Sequence, residues 1–290
     1  MHDTTAISAA TAPQGRRFNA HPFISIVTGA VLSFAPVPLT MILVHHLVDK
    51  PYRVVWPQLL AALLSFLAYR FFAHRIEKRA LTEFAAAGAA RDSALGLGLG
   101  AGMVCTVFAV LALLGVYRLD GVNGITPLLF LPLAELLLVG LAEESVFRGI
   151  VFRITEQAIG SMRAIVVSAM VFALAHLPNE GVGPVAVAAL AAYGVLQAAI
   201  YMRTRTLWLC IASHVAWNFC VGQVFSTAVS GHASQSGLLQ GQLAGPSWLA
   251  GGAFGVEGSL LTLIVISAVA ACFLRAGPRR EAPARERVSA

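Results

Sequence analysis

The chain has 290 residues, 58% of them hydrophobic and only 12% charged, with a mean hydropathy of +0.77. A soluble domain is about half apolar and about a quarter charged, so these figures exclude an ordinary soluble globule and point to an integral membrane protein. The net charge of +6 and pI near 9.5 would suggest nucleic acid in a soluble protein. Here the basic residues cluster between apolar runs, where membrane proteins carry their topogenic charge, and no nucleic-acid partner is expected.

Residues 1–22 are polar and rich in small side chains and include Arg16 and Arg17. They read as a cytoplasmic tail ahead of a retained span, because the apolar run behind them is too long for a signal-peptide core. Eight apolar segments follow that are long enough, or nearly so, to cross about 30 Å of hydrocarbon at about 1.5 Å per residue. They are 23–47, 55–73, 93–116, 126–152, 162–178, 182–202, 206–226 and 249–273. The predicted fold class is therefore all-α, a polytopic membrane protein of about eight transmembrane helices. Residues 23–116 form three N-terminal spans, 126–226 a core, 249–273 the last span, and 277–290 a disordered cytoplasmic tail. Near 75–92, Ile76, Leu81 and Phe84 lie among charges and predict an amphipathic helix on the inner membrane surface.

The positive-inside rule fixes the orientation. With the N-terminus inside, Arg70, Arg75, Lys78, Arg79 and Arg91, then Arg153 and Arg163, then Arg203 and Arg205 fall on the cytoplasmic side. Only Lys50, Arg53 and Arg118 fall outside, and the loop 226–248, rich in Gly, Ser and Gln, has no Lys or Arg. Both termini are then cytoplasmic. The Arg-rich, Ala-rich composition suits a bacterial inner membrane. The four cysteines, Cys105, Cys210, Cys220 and Cys272, lie in apolar runs without a CxxC and read as small packed thiols.

Three polar clusters interrupt the spans. Ionisable groups in hydrocarbon are costly unless paired or wetted, so they are functional candidates by default. The first is Glu143, Glu144 and Arg148. Glu144 and Arg148 are four apart on a helix and can pair, while Glu143 is turned about 100° away and is left for another task. The second is Phe172 and His176; the third is His214 and Asn218, again four apart. A hairpin turning near Gly160 brings Glu143 and His176 to the same height, each about 25 Å from the turn at about 1.5 Å per residue. His214 matches that depth only if the hairpin protrudes into the cytoplasm.

Glu143, His176 and His214 are a sufficient set for one zinc-like divalent ion with an open position for water. Without a metal, Glu143 and His176 could activate water directly, with His214 and Asn218 stabilising an oxyanion. Both routes lead to hydrolysis of an acyl bond. Paired charges that merely fix helix packing are the plain alternative for each cluster taken alone, but far less so for all three together. There is no HExxH, GxSxG or nucleotide-binding glycine loop. Glu135, two turns before Glu143, either lines a cavity or pairs with a neighbouring helix. His45 and His46 read as interfacial, Asn179 and Glu180 as turn residues, and Glu257 as wetted at the outer mouth of the last span.

The set EExxxR (Glu143, Glu144, Arg148, followed by Gly149), FxxxH (Phe172, His176) and HxxxN (His214, Asn218) resembles the CPBP family. These are the CAAX-protease and bacteriocin-processing, or Abi, intramembrane endopeptidases. The resemblance covers roughly 126–226. It implies an eight-helix endopeptidase with its site inside the membrane, reached from the cytoplasmic side. Glu143 would be the general base and His176 would help activate water. His214 and Asn218 would form the oxyanion hole, and Glu144, Arg148 and Phe172 would be structural or substrate-orienting. The family is usually called metalloprotease, and a metal-free glutamate mechanism is also argued for it. Asn218 beside His214 suits an oxyanion hole better than a metal shell. The implied partner is a membrane-associated peptide or protein, with or without a lipid modification. A transporter using Glu, His and Arg as an ion relay would call for inverted repeats or interrupted helices in matching halves, and none is found. A catalytically silent immunity scaffold is the third reading, against which the intact motif set argues.

Overall fold

The computed structural model describes residues 21–233 and 237–277; the expectations for the polar N-terminal tail and the charged C-terminal tail lie essentially outside them. Helices α1 (Pro22–Phe34) and α2 (Pro36–Leu47) run nearly end to end. Pro36 brings no amide hydrogen and crowds the turn before it, so the helix is interrupted at Ala35, whose own N–H still reaches Val31 O at 2.9 Å. Helix α3 (Trp56–Phe71) ends in a π-helical turn, Phe72–Ile76. Helix α4 (Ala89–Leu113) follows, then strand β1 (Tyr117–Val122).

Helix α5 (Leu133–Glu144), a π-helical stretch (Ser145–Phe152) and α6 (Arg153–Ile159) form one unbroken rod, stopped by Gly160 at φ 86. Helices α7 (Ser161–Ala175), α8 (Pro184–Thr204) and α9 (Trp208–Phe219) complete the core, α9 closing in a π turn, Cys220–Val224. Strand β2 (Leu239–Leu243), a short α10 (Ser247–Ala250) and α11 (Leu260–Ala276) end the described chain.

Among the described residues, four helical stretches are long and apolar enough to cross a membrane: Pro22–Leu47, Trp56–Ile76, Ala89–Leu113 and Pro184–Thr204. Ser161–Ala175 and Leu260–Ala276 are shorter apolar helices. Large apolar side chains such as Phe23, Leu43, Leu63, Val166 and Met170 point outward. With the apolar composition, this is the construction of an integral membrane protein, mostly helical.

The structure departs from the sequence reading in three places. The amphipathic helix expected over 75–92 is absent: the chain leaves the helix after Ile76, makes one 3-10 turn at Thr82–Phe84, and re-enters at Ala89. Lys78 (φ 55) and Gly88 (φ 82) adopt left-handed geometry that a helix cannot contain, and the charges turn inward. Arg79 grips Glu83 with both nitrogens, at 2.7 and 2.8 Å, and Glu77 at 2.7 Å. Burial alone would raise the Glu83 carboxyl, but the hydrogen bonds and charge of Arg79 outweigh it and hold it below the usual carboxylate range. Second, β1 and β2 pair antiparallel, Tyr117 opposite Leu243 and Val122 opposite Leu239, so the fold is not purely α. Third, the last helix begins only at Leu260, because Gly251 (φ 88) and Gly255 (φ 95) turn the preceding chain.

Close helix contacts position the core. A Cβ at Gly194 would lie 2.7 Å from Ala169 Cα, so α8 and α7 touch backbone to backbone. Gly96 and Gly100, one turn apart on α4, lie against the carbonyls of Leu209 and Ser213 on α9, where a methyl group would collide. Such small-xxx-small spacing lets membrane helices approach closely, and here it sets the position of the helix carrying His214.

One end of the bundle joins the 77–88 and 205–207 connections to α6. Arg153 Nη2 donates to Glu77 at 2.6 Å, Arg205 to Glu156 at 2.5 Å, and Leu207 N to Glu83 O at 2.8 Å. The opposite end holds the β pair and the 176–183 and 225–259 connections. There Asn179 Nδ2 donates to Ser230 O at 2.9 Å and Gly231 N to Phe254 O at 2.9 Å.

Candidate active site

Glu143 and Glu144 are the last residues but one and the last of α5, immediately before the π-helical stretch. Such π segments often mark functional sites. Glu144 points into the bundle and is fully buried, and its Oε1 is shared by three donors. They are Arg148 Nη1 at 3.1 Å, Gln197 Nε2 at 3.2 Å and His214 Nδ1 at 2.9 Å. Arg148, also fully buried, lies with its guanidinium 4.8 Å from the Phe172 ring centre. Phe172 in turn packs on His176, ring centres 4.5 Å apart.

Glu143 turns the other way, as its helical phase requires. Its Oε2 lies 3.9 Å from His214 Nε2 and 4.0 Å from His176 Nε2. His176 caps the end of α7 and donates Nδ1–H to Phe172 O at 2.8 Å, which leaves Nε2 as the atom facing Glu143. The carboxylate of Glu144 at His214 Nδ1 does the same for the second ring. Oε2 of Glu143 is buried with no hydrogen-bond partner among the described residues. Its two histidine neighbours stand too far for direct hydrogen bonds, at a separation that one bridging water spans.

A cavity of about 360 Å³ opens here, lined by Glu135, Glu143, His176, His214 and Asn218 and, towards its mouth, by Asn179. A smaller space of about 30 Å³, bounded by Tyr193, Trp217 and Glu257, touches the same two histidines and Asn218; a single water needs about half that. An apolar cleft of about 260 Å³ between α2, α3 and α5 shares Glu135 and Glu143 with the main cavity. The structure thus gathers Glu143, His176, His214 and Asn218 around one space and sets Glu144, Arg148 and Phe172 behind them. Of the open alternatives, Glu135 lines the cavity.

Sequence reading missed two contributors, Gln197 and Tyr193, and misplaced a third, Glu257. Gln197 bonds Glu144, Tyr193 Oη at 3.0 Å and Cys210 O at 3.1 Å. Tyr193 sets its ring 5.5 Å from that of His214. Two polar-headed side chains four apart in an otherwise apolar helix were the available signal. Glu257 is buried rather than wetted: it accepts Trp217 Nε1–H at 2.6 Å and the hydroxyl of Ser230 at 2.9 Å. It thereby fixes the tryptophan beside His214.

A four-coordinate zinc shell with bonds of about 2.0–2.1 Å places its donors roughly 3.4 Å apart. The separations of 3.9 and 4.0 Å at Glu143 are wider, and among the described residues no group of three or more His, Cys, Asp or Glu is spaced to hold a metal ion. The three donors therefore do not fit a zinc shell in this arrangement.

Residues 125–220 match the family model Rce1-like, described as type II CAAX prenyl endopeptidase Rce1-like. This stretch is similar to the CAAX-protease family. The match begins before α5 and ends two residues past Asn218, so it encloses all three polar clusters. The family is one of proteases, hydrolases of peptide bonds. No curated protein matches the chain.

Proposed function

We propose that the chain is an intramembrane endopeptidase that hydrolyses a peptide bond of a membrane-associated peptide or protein, with Glu143 as general base. The observation that carries this reading is the convergence of Glu143 Oε2 with the Nε2 atoms of His176 and His214 at 4.0 and 3.9 Å beside a cavity of about 360 Å³. Water held between Glu143 and His176 gives a proton to the carboxylate as its oxygen attacks the scissile carbonyl. The developing oxyanion accepts hydrogen bonds from Asn218 Nδ2 and from His214 Nε2–H. The Glu144 carboxylate at Nδ1 supports that ring when it carries both protons, as the carboxylate of a catalytic triad does. The C–N bond then breaks, and Glu143 delivers its proton to the leaving amine, ending as a carboxylate. Glu144, Arg148 and Phe172 hold the histidines in place. No step in this scheme passes through a metal.

The eight-span topology with cytoplasmic termini belongs to the same proposal, with the bacterial inner membrane as location. The apolar cleft beside Glu143 supports a substrate that arrives in contact with lipid. New peptide ends in membranes from cells carrying wild type or Glu143→Ala, matched for expression, test the reading. Ends present only with wild type are expected. Identical sets of ends, with both proteins folded, would overturn it.

A further inference from the structure

We infer that Glu257 is a positioning residue for the cleavage reaction: one buried carboxylate, outside all three polar clusters, holds both the turn after His176 and the part of α9 that carries His214 and Asn218. This rests on the reading of the Glu143 cavity as the catalytic site. Glu257 lies well beyond the stretch 125–220 that resembles the protease family.

Glu257 sits in a short turn, Val256–Gly258, just ahead of α11. The connection before it is folded back by Gly251 (φ 88) and Gly255 (φ 95). A Cβ at Gly255 would collide with Ala228 O, so this connection packs backbone to backbone on the segment that carries Ser230. The carboxylate is thereby shared between two elements. Its Oε1 accepts Trp217 Nε1–H at 2.6 Å. Its Oε2 accepts the Ser230 hydroxyl at 2.9 Å and the Ser230 backbone N–H as well. A carboxylate can accept all three, whereas a carboxamide would turn its NH2 group towards a donor.

Each side leads to the site. Trp217 stands three residues after His214 and immediately before Asn218. The rings of His214 and Trp217 pack on that of Tyr193, with centres 5.5 and 6.1 Å away. Fixing the indole fixes the rotation of α9 about its axis, and with it the direction of both oxyanion donors. The anchor acts just before α9 gives way to the π turn Cys220–Val224, where the regular helical hydrogen-bond ladder changes. On the other side, Ser230 adopts a left-handed backbone (φ 47), which is costly for a residue with a Cβ; its two bonds to Glu257 offset that cost. Ser230 O accepts from Asn179 Nδ2 at 2.9 Å, and Asn179 N donates to His176 O at 3.1 Å. Glu257, Ser230 and Trp217 thus wall the space of about 30 Å³ that touches His176, His214 and Asn218. A misplacement of about 1 Å in such a donor set can cost about a hundredfold in rate. Contacts to the rest of the substrate are untouched, so the loss falls on kcat.

The test is peptide cleavage in liposomes by wild type, Glu143→Ala, Glu257→Gln, Trp217→Phe and the double variant of the last two. Each single variant should lower kcat by about tenfold or more with KM within about twofold. The double variant should be no slower than the slower single one, because both changes break the same tie. A wild-type kcat in Trp217→Phe, a loss carried by KM, or losses that multiply would overturn the inference. Trp217→Phe removes the indole N–H and keeps an aromatic ring, so it decides the matter even where Glu257→Gln folds poorly. A readout without activity comes from the His214 ring signals in histidine-labelled protein, assigned by their loss in His214→Gln. They should shift in Trp217→Phe, and unmoved signals would overturn the coupling. Cleavage equal in wild type and Glu143→Ala would instead count against the protease reading, and the ring signals would still decide whether Glu257 positions His214.

Discussion

Glu144 and Arg148 pose the sharpest energetic question in the molecule. Both side chains are fully buried, 3.1 Å apart, and the same Glu144 oxygen holds Gln197 and His214. At about 3 Å and an effective dielectric near 20, opposite unit charges attract by about 5 kcal/mol. Removing one partner leaves the other buried and uncompensated, which typically costs about 3–5 kcal/mol. Arg148→Met and Glu144→Gln should therefore each destabilise by about that much. The double variant removes both charges at once and should cost well under the sum, with a coupling of about 2–3 kcal/mol in a double-mutant cycle. Equilibrium unfolding by detergent titration, on all four proteins in the same micelles, measures this directly. Single variants within about 1 kcal/mol of wild type, or strictly additive losses, would refute the argument that the pair compensates itself in a dry interior.

Three further outcomes follow from other parts of the fold. Gly100→Leu would drive a side chain into Ser213 O on α9; a loss of about 1–3 kcal/mol and a lower cleavage rate through displaced His214 are expected, whereas the same change at Gly98, which faces open space, should be mild in both assays. The depressed carboxyl of Glu83 contributes stability that is fully present above the ordinary carboxylate value near 4.3 and is lost as pH falls through the lower folded value; thermal midpoints should hold from neutral pH to about 5 and drop below about 4, and Glu83→Gln should flatten that acid limb. Because the Glu143, His176 and His214 donors stand too wide for a zinc shell, cleavage by purified protein should survive strong chelators, and loss of activity restored by added zinc would reverse that conclusion.

Much of the bundle was legible because lipid imposes long apolar runs, which composition exposes without any knowledge of packing. The three polar clusters stood out for the same reason: Glu143, Arg148 and His214 violate the apolar background they sit in. The relation between them was harder. His214 reaches the level of Glu143 because Gly96 and Gly100 let α9 press against α4, and glycines in a hydrophobic run look like filler until the partner helix is known. Gln197 was harder to place, since a single amide in α8 says nothing about its meeting a carboxylate 53 residues earlier in the chain. The β pair draws on Leu239–Leu243, whose alternating pattern is short and embedded in a Gly/Ser/Gln-rich loop, and its partner Tyr117–Val122 is distant in sequence. The false amphipathic helix near 75–92 had a real apolar-charged pattern, but Arg79 spends its charge on Glu77 and Glu83 rather than on the membrane surface.

The central claim is that Glu143 takes the proton from the attacking water. The cleavage rate of Glu143→Gln against wild type, both reconstituted in liposomes with a peptide identified from the wild-type ends, tests it most directly. Gln keeps the size and removes the base, so a fall of about a hundredfold or more is expected, with unfolding unchanged. A rate within tenfold of wild type would contradict the account.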